Sequence, residues 1–173
     1  IWHTFFCIST ELCQVGDFNG DGKADVAAFV KSSKGEPSHG DVWVALSTGT
    51  GFATQSVWHE SFCVDQESCA VGDFDGDDKA DALAFTNAVG GGVDAALSTS
   101  ANFAAARRWH HSFCPAGVHC TAGDFNGDGR TDILLFKPQA DHGGEQGKVY
   151  VALATVIPVA DPLRYKVYLP LIL

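Results

Sequence analysis

Residues 16–25 read GDFNGDGKAD, residues 72–81 read GDFDGDDKAD and residues 123–132 read GDFNGDGRTD. In each line the side chains that carry oxygen alternate with Phe and Gly, and a further Asp follows four residues after the last of them. Asp17, Asn19 and Asp21 can therefore converge on one point if the backbone curls. Gly22 supplies the turn, Lys23 its backbone carbonyl, and Asp25 closes the loop as the ninth position. The second copy offers Asp73, Asp75, Asp77, Lys79 and Asp81, and the third Asp124, Asn126, Asp128, Arg130 and Asp132. Every donor is a hard oxygen, with no Cys or His at ligand spacing. A flexible oxygen cage suits calcium, whereas magnesium demands a stricter octahedron, so three Ca2+ sites are expected. Asp78 stands where the other copies have Gly22 and Gly129. Asp reaches the left-handed turn conformation only at some cost, which predicts a weaker or reshaped second site.

Asp-Gly lines are also ordinary hairpin turns, but identical ligand offsets in all three copies favour metal. An EF-hand is excluded: it needs a Glu at position twelve and flanking helices. Here that position holds Ala28, Ala84 or Leu135 and a β-type run follows.

The metal line sits inside a longer unit. Trp2-His3, Trp58-His59 and Trp109-His110 are each followed by Phe-Cys, at Phe6-Cys7, Phe62-Cys63 and Phe113-Cys114. A second cysteine comes six residues on, at Cys13, Cys69 and Cys120, directly before each loop. Apolar runs follow at Val26 to Val30, Ala82 to Phe85 and Ile133 to Phe136, and further runs start at Val42, Val93 and Val149. A period of about fifty residues falls in the range of propeller blades. The segments are short, rich in β-branched and aromatic residues, and separated by Gly, Asn, Asp and Ser clusters, with no competing helical period. The expected fold is all-β: blades of four short strands, with the Asp-rich loop as the hairpin between the first two.

The Asp-Phe-Asn-Gly-Asp-Gly line, followed by Asp and an apolar strand, resembles the FG-GAP or VCBS-type repeat. That repeat builds calcium-binding β-propeller blades in integrin α-chain heads and in many secreted bacterial proteins. It is also similar to the repeat of a fungal seven-bladed propeller lectin. The resemblance covers residues 1 to about 155. It implies that the Asp and Asn residues named above are calcium ligands pinning the strand hairpins, and that the ions stabilise the blade and do no catalysis.

The six cysteines form in-phase pairs, Cys7/Cys13, Cys63/Cys69 and Cys114/Cys120. One pair per repeat predicts three local disulfides, each tying the outer strand of one blade to the first strand of the next, and an oxidising, extracellular or cell-surface setting. Buried free thiols or a zinc site are the alternatives, and five intervening residues without an in-phase His are poor zinc spacing. The formal charge is −10, and 10 of the 21 acidic residues are the proposed ligand Asps. Three calcium ions would bring the net to about −4. This charge, with no Lys/Arg cluster, argues against nucleic acid, and no membrane span is legible. The in-phase His residues belong to the repeat, and no Ser or Cys stands in a nucleophile setting. An enzyme is not expected.

The organisation read from the repeats is three blades over 1–155, at about 7–62, 63–113 and 114–155 plus 1–6, then a C-terminal extension over 156–173. That extension carries the apolar β-forming segment YKVYLPLIL from Tyr165. It could pack on its own domain or serve as a donor strand for a neighbour. With Ile1 at the start and no Met, the chain reads as a processed product or a piece of a longer one. Residues 1–6 match the outer strand of the other repeats, so the third blade is expected to be completed by this segment, in cis or from a neighbouring subunit. A contact between subunits of that kind closes an oligomer or propagates a head-to-tail filament. The functional expectation is an extracellular, calcium-stabilised structural or adhesive protein that self-assembles through strand exchange. The alternative is a carbohydrate-binding lectin using Trp43 and the other tryptophans. A glycan or a surface protein would be its ligand.

Overall fold

The run DVAAF at Asp25–Phe29 and its counterpart DALAF at Asp81–Phe85 are almost continuously buried. Short apolar runs of this kind, flanked by turns, suit strands covered on both faces. The computed structural model describes residues 1–137 and 147–155. In it the first repeat forms β1 (Leu12–Gly16), β2 (Asp25–Phe29), β3 (Val42–Ala45) and β4 (Ser56–His59), an antiparallel sheet in that order. The second forms β5 (Ser68–Gly72), β6 (Asp81–Phe85), β7 (Val93–Ala96) and β8 (Arg107–His110) in the same way. The third forms β9 (His119–Gly123), β10 (Asp132–Lys137) and β11 (Lys148–Ala152), three strands among the described residues, with β11 at the edge. No helix occurs among the described residues. The fold is all-β and made of propeller-type blades, as the repeat period predicts.

Equivalent strands pair in equivalent register: Cys13 opposes Ala28, Cys69 opposes Ala84, and Cys120 opposes Leu135. The first strand of the second blade, β5, contacts both β1 and β9, so the three first strands lie side by side. The core lies between blades rather than within one. Phe18, Phe29, Val42 and Trp58 of the first blade pack against Ala82, Ala84 and Ala96 of the second. Phe74, Leu83, Phe85 and Val93 of the second pack against Ile133, Leu135 and Ala152 of the third. Bulky residues of one blade thus fill the space left by small ones in the next, and burying each Phe contributes about 2–3 kcal/mol.

All three expected disulfides are formed, Cys7–Cys13, Cys63–Cys69 and Cys114–Cys120. The second and third are buried and link the outer edge of one blade to the first strand of the next; the first lies near the surface. Residues 1–6 form no strand, and they lie against the first blade rather than the third. The Phe52 N–H donates to the Trp2 carbonyl at 3.1 Å, just as Phe103 N–H donates to Trp58 at 3.0 Å. The Trp2 and Phe52 rings meet edge to face, as do those of Trp58 and Phe103. Residues 1–6 therefore stand in the place of the outer strand of a blade preceding the first. Completion of the third blade by this segment in cis is not made. The expected strand within 156–173 lies outside the described residues.

Candidate metal centre

Each Asp-rich loop is organised by its first and last carboxylates. Asp17 accepts the N–H groups of Gly20, Asp21 and Gly22, at 2.8, 3.1 and 2.7 Å, which draws the loop around its side chain. Asp73 and Asp124 accept the equivalent N–H groups in their loops. Asp25, Asp81 and Asp132 are fully buried at the start of the second strand of each blade. Asp25 Oδ2 accepts the Phe18 N–H at 3.0 Å and its Oδ1 the Ser47 N–H at 2.7 Å. Asp81 does the same with Phe74 and Ser98, and Asp132 with Phe125 and Ala154. The ninth-position Asp thus cross-links the loop to the chain leaving the third strand, a structural duty that ligand spacing alone did not reveal. Each oxygen keeps a lone pair for a cation.

The turn expectations hold. Gly22 and Gly129 have φ of 81° and 85°, and Asp78 adopts the same left-handed conformation at 63°. The seventh position does more than expected, because its side chain also acts. Lys23 Nζ pairs with Asp21 at 2.6 Å, and Lys79 and Arg130 pair with Asp77 and Asp128. The fifth-position carboxylate is thereby held toward a cation of its own loop.

The second loop brings the most carboxylates together. Oxygen atoms of Asp73, Asp75 and Asp81 lie within 4.8 Å of one another. The other loops have Asn19 or Asn126 in place of Asp75, and each Asn Oδ1 accepts the N–H two residues on, at 3.0 Å. Electrostatics follow this difference. Burial pushes the Asp81 carboxyl up to about 7, with the charges of Asp75 and Asp77 adding to it. Burial also raises Asp75, helped by Asp77 and Asp73, and burial raises Asp25. The hydrogen bond from Lys23 lowers Asp21. A site with crowded, protonation-prone carboxylates and a free oxygen lone pair on each is chemically suited to a hard divalent cation.

The in-phase histidines lie on the outer-strand segments, with the His3 ring 3.0 Å from Gln55 Oε1. His59 lies in β4, and His110 is buried in β8, where desolvation lowers its pKa. Trp58 is buried against Phe18 and Phe103, whereas Trp2 is exposed. Trp43, the odd residue at its repeat position, is half-buried. It lines a pocket of about 250 Å³ with Phe5, Phe6, Ser38 and Gln55.

Repeated antiparallel sheets with in-phase Asp-rich hairpins define a β-propeller-type repeat protein. The FG-GAP-like repeat family matches residues 14–84 and the FG-GAP repeat family residues 117–152, and the chain carries FG-GAP repeats. No protein of curated function matches it. Among solved structures, 27 chains match. One is a lectin of Agrocybe aegerita described as specifically recognising non-reducing terminal N-acetylglucosamine. The two share 18% sequence identity at a TM-score of 0.57, over 82% of this chain and 38% of the lectin chain. That likeness carries the propeller fold. The present chain spans well under half of the lectin's length. No helix among the described residues is long and apolar enough to cross a membrane.

Proposed function

We propose that this chain is an extracellular, calcium-stabilised structural or adhesive module that assembles with copies of itself by strand exchange. One observation carries the reading. Residues 1–6 stand where the outer strand of a preceding blade belongs, while the third sheet has only three strands among the described residues. Each copy would then supply the fourth, outer strand for its neighbour's third sheet. The repeat register puts His3 of one copy opposite Val149 of another, as His59 opposes Val42 and His110 opposes Val93. Calcium held by Asp17, Asn19, Asp21 and Asp25, and by their counterparts, would neutralise the loops and lock the hairpins. The three disulfides and the FG-GAP repeats support an oxidising location. No catalytic step is assigned. Light scattering and electron microscopy of the purified chain, with calcium and with a chelator, test the reading. Rings or filaments are expected with calcium, and monomers at every concentration would sink it.

A carbohydrate-binding role is the second reading, favoured by the Trp43 pocket, whose aromatic wall and polar Ser38 and Gln55 suit a sugar ring. The fungal relative recognises N-acetylglucosamine termini, so glycans with that terminus are the first to test. Binding on a glycan array that Trp43→Ala abolishes would favour this reading; a blank array would remove it.

A further inference from the structure

The contact between successive blades is built twice within the chain around the same loop positions. The Asp17 carbonyl accepts the Ala80 N–H at 2.7 Å, and the Asp73 carbonyl accepts the Thr131 N–H at 2.6 Å. These join the first position of one loop to the eighth of the next. The side chain of that eighth residue sits on the glycine that precedes the earlier loop. A Cβ on Gly16 would lie 2.6 Å from the Ala80 Cβ, and one on Gly72 would collide with Thr131 in the same way. The Lys79 stem lies over Gly20 and the Arg130 stem over Gly76, each within about one van der Waals contact. At the first contact Ser98 Oγ also donates to the Phe18 carbonyl at 2.6 Å, a bond the second cannot repeat because Ala154 stands at that position. The Phe18 ring is then sealed by Trp58 of its own blade and Phe103 of the next, at 6.3 and 5.7 Å between centroids.

Both halves of this contact recur at the first and third blades, unmated among the described residues. On the third blade, the atoms nearest to a Cβ at Gly123 would be those of the Phe125 ring, at 3.3 Å, and not those of a following loop. Phe125 is 46% exposed, although Phe18 and Phe74 at the same repeat position are buried. Phe136 and Val149 are 41% and 51% exposed, although Phe29, Phe85, Val42 and Val93 are buried. On the first blade, Ala24 is exposed where Ala80 is buried, and Val15 is exposed where Val71 packs into the core. The Trp2–Phe52 pair, the counterpart of Trp58–Phe103, has no equivalent of Phe18 beneath it among the described residues.

We infer that the loop face of the third blade, centred on Gly123, Asp124 and Phe125, docks onto the Ala24, Ser47 and Trp2 face of the first blade in a second copy of this chain. The inference rests on the assembly reading above and specifies its surface: loop stacking in addition to strand exchange. The Ala24 N–H reaches the Asp124 carbonyl, the Ala24 methyl sits on Gly123, and Ser47 Oγ donates to the Phe125 carbonyl. The Phe125 ring closes against the Trp2–Phe52 pair. The occupant is a second copy because this chain itself presents both complementary faces, and because the contact continues an interface already repeated within it. The two faces differ, so the contact is heterologous.

Complementary blocks test it. Gly123→Val places a side chain where Ala24 of the neighbour must sit, and within the chain the nearest group it meets is the half-exposed Phe125 ring, which has room to turn aside. Ala24→Trp blocks the opposite face at an exposed residue, and so keeps the fold even if Gly123→Val does not. Sedimentation velocity of the full chain, with circular dichroism to verify folding, should show assembly of the unmodified protein and its loss in each variant. An equimolar mixture should form a 1:1 dimer and nothing larger, since one intact face remains on each partner. If the unmodified chain never associates, both this interface and the assembly reading are overturned, and the exposed face is left to a glycan or to residues 156–173. Assembly that persists in both variants overturns this interface alone and leaves strand exchange standing. A mixture that stays monomeric also overturns it.

Discussion

The same face of the blade exists in two environments in this molecule. On the first two blades, Phe18 and Phe29 or Phe74 and Phe85 are covered by the blade that follows; on the third, Phe125 and Phe136 meet solvent. The local sequences are nearly identical, so the difference owes nothing to propensity or turn chemistry. It teaches that a blade's hydrophobic payload is realised only when a neighbour covers it, as expected of repeat architectures.

Truncation should break that comparison most sharply. Phe18→Ala, which opens a cavity between two blades, is expected to cost about 3–5 kcal/mol. Phe125→Ala should cost less than about 1 kcal/mol in the isolated chain. Denaturant unfolding of both variants at equal calcium checks this, and equal losses would mean that the third face is covered in solution.

The buried ninth-position carboxylates come next. Asp81→Ala strands the N–H groups of Phe74 and Ser98 and should cost about 2–4 kcal/mol, whether or not calcium is present. A loss that vanishes in chelator would instead assign Asp81 wholly to the ion.

The second loop should also differ from its neighbours in pH dependence. The folded-state pKa of Asp81, about 7, lies above its ordinary value, so the folded protein holds an extra proton between the two. Its contribution to stability is present below the ordinary carboxylate range and is lost as pH rises through about 7 in ion-free protein. Calcium competes with that proton, so its affinity for this loop should rise over the same interval. Calcium titrations from pH 5 to 8 read the effect; a flat profile would refute it. The smallest expected effect is at Asp78. Asp78→Gly relieves a left-handed non-Gly residue and should stabilise the second blade by about 1 kcal/mol, measured as a raised melting temperature.

Much of this was legible in the residues. The loops announced themselves by ligand offset, the strands by short apolar runs, and the disulfides by one in-phase pair per repeat. The dual role of Asp25, Asp81 and Asp132 was not legible, because their second acceptor bond goes to an N–H about 20 residues away across the blade. Nor was the pairing of Lys23, Lys79 and Arg130 with their loop carboxylates, since a backbone carbonyl was all that the ligand pattern required of them. The matching of bulky residues in one blade with alanines in the next was hidden for a similar reason: periodicity marks which positions are buried, not which neighbour fills them.

The repeat alone determined the blade, its hairpins, its cysteine staples and its oxygen-rich loops, because each depends on contacts within about a dozen residues. Only the tertiary structure decided where residues 1–6 belong and which faces remain open. Those depend on how one blade stacks on another. Trp2 carries the same local signature as Trp58, and only its docking on Phe52 sets it ahead of the first blade instead of behind the third.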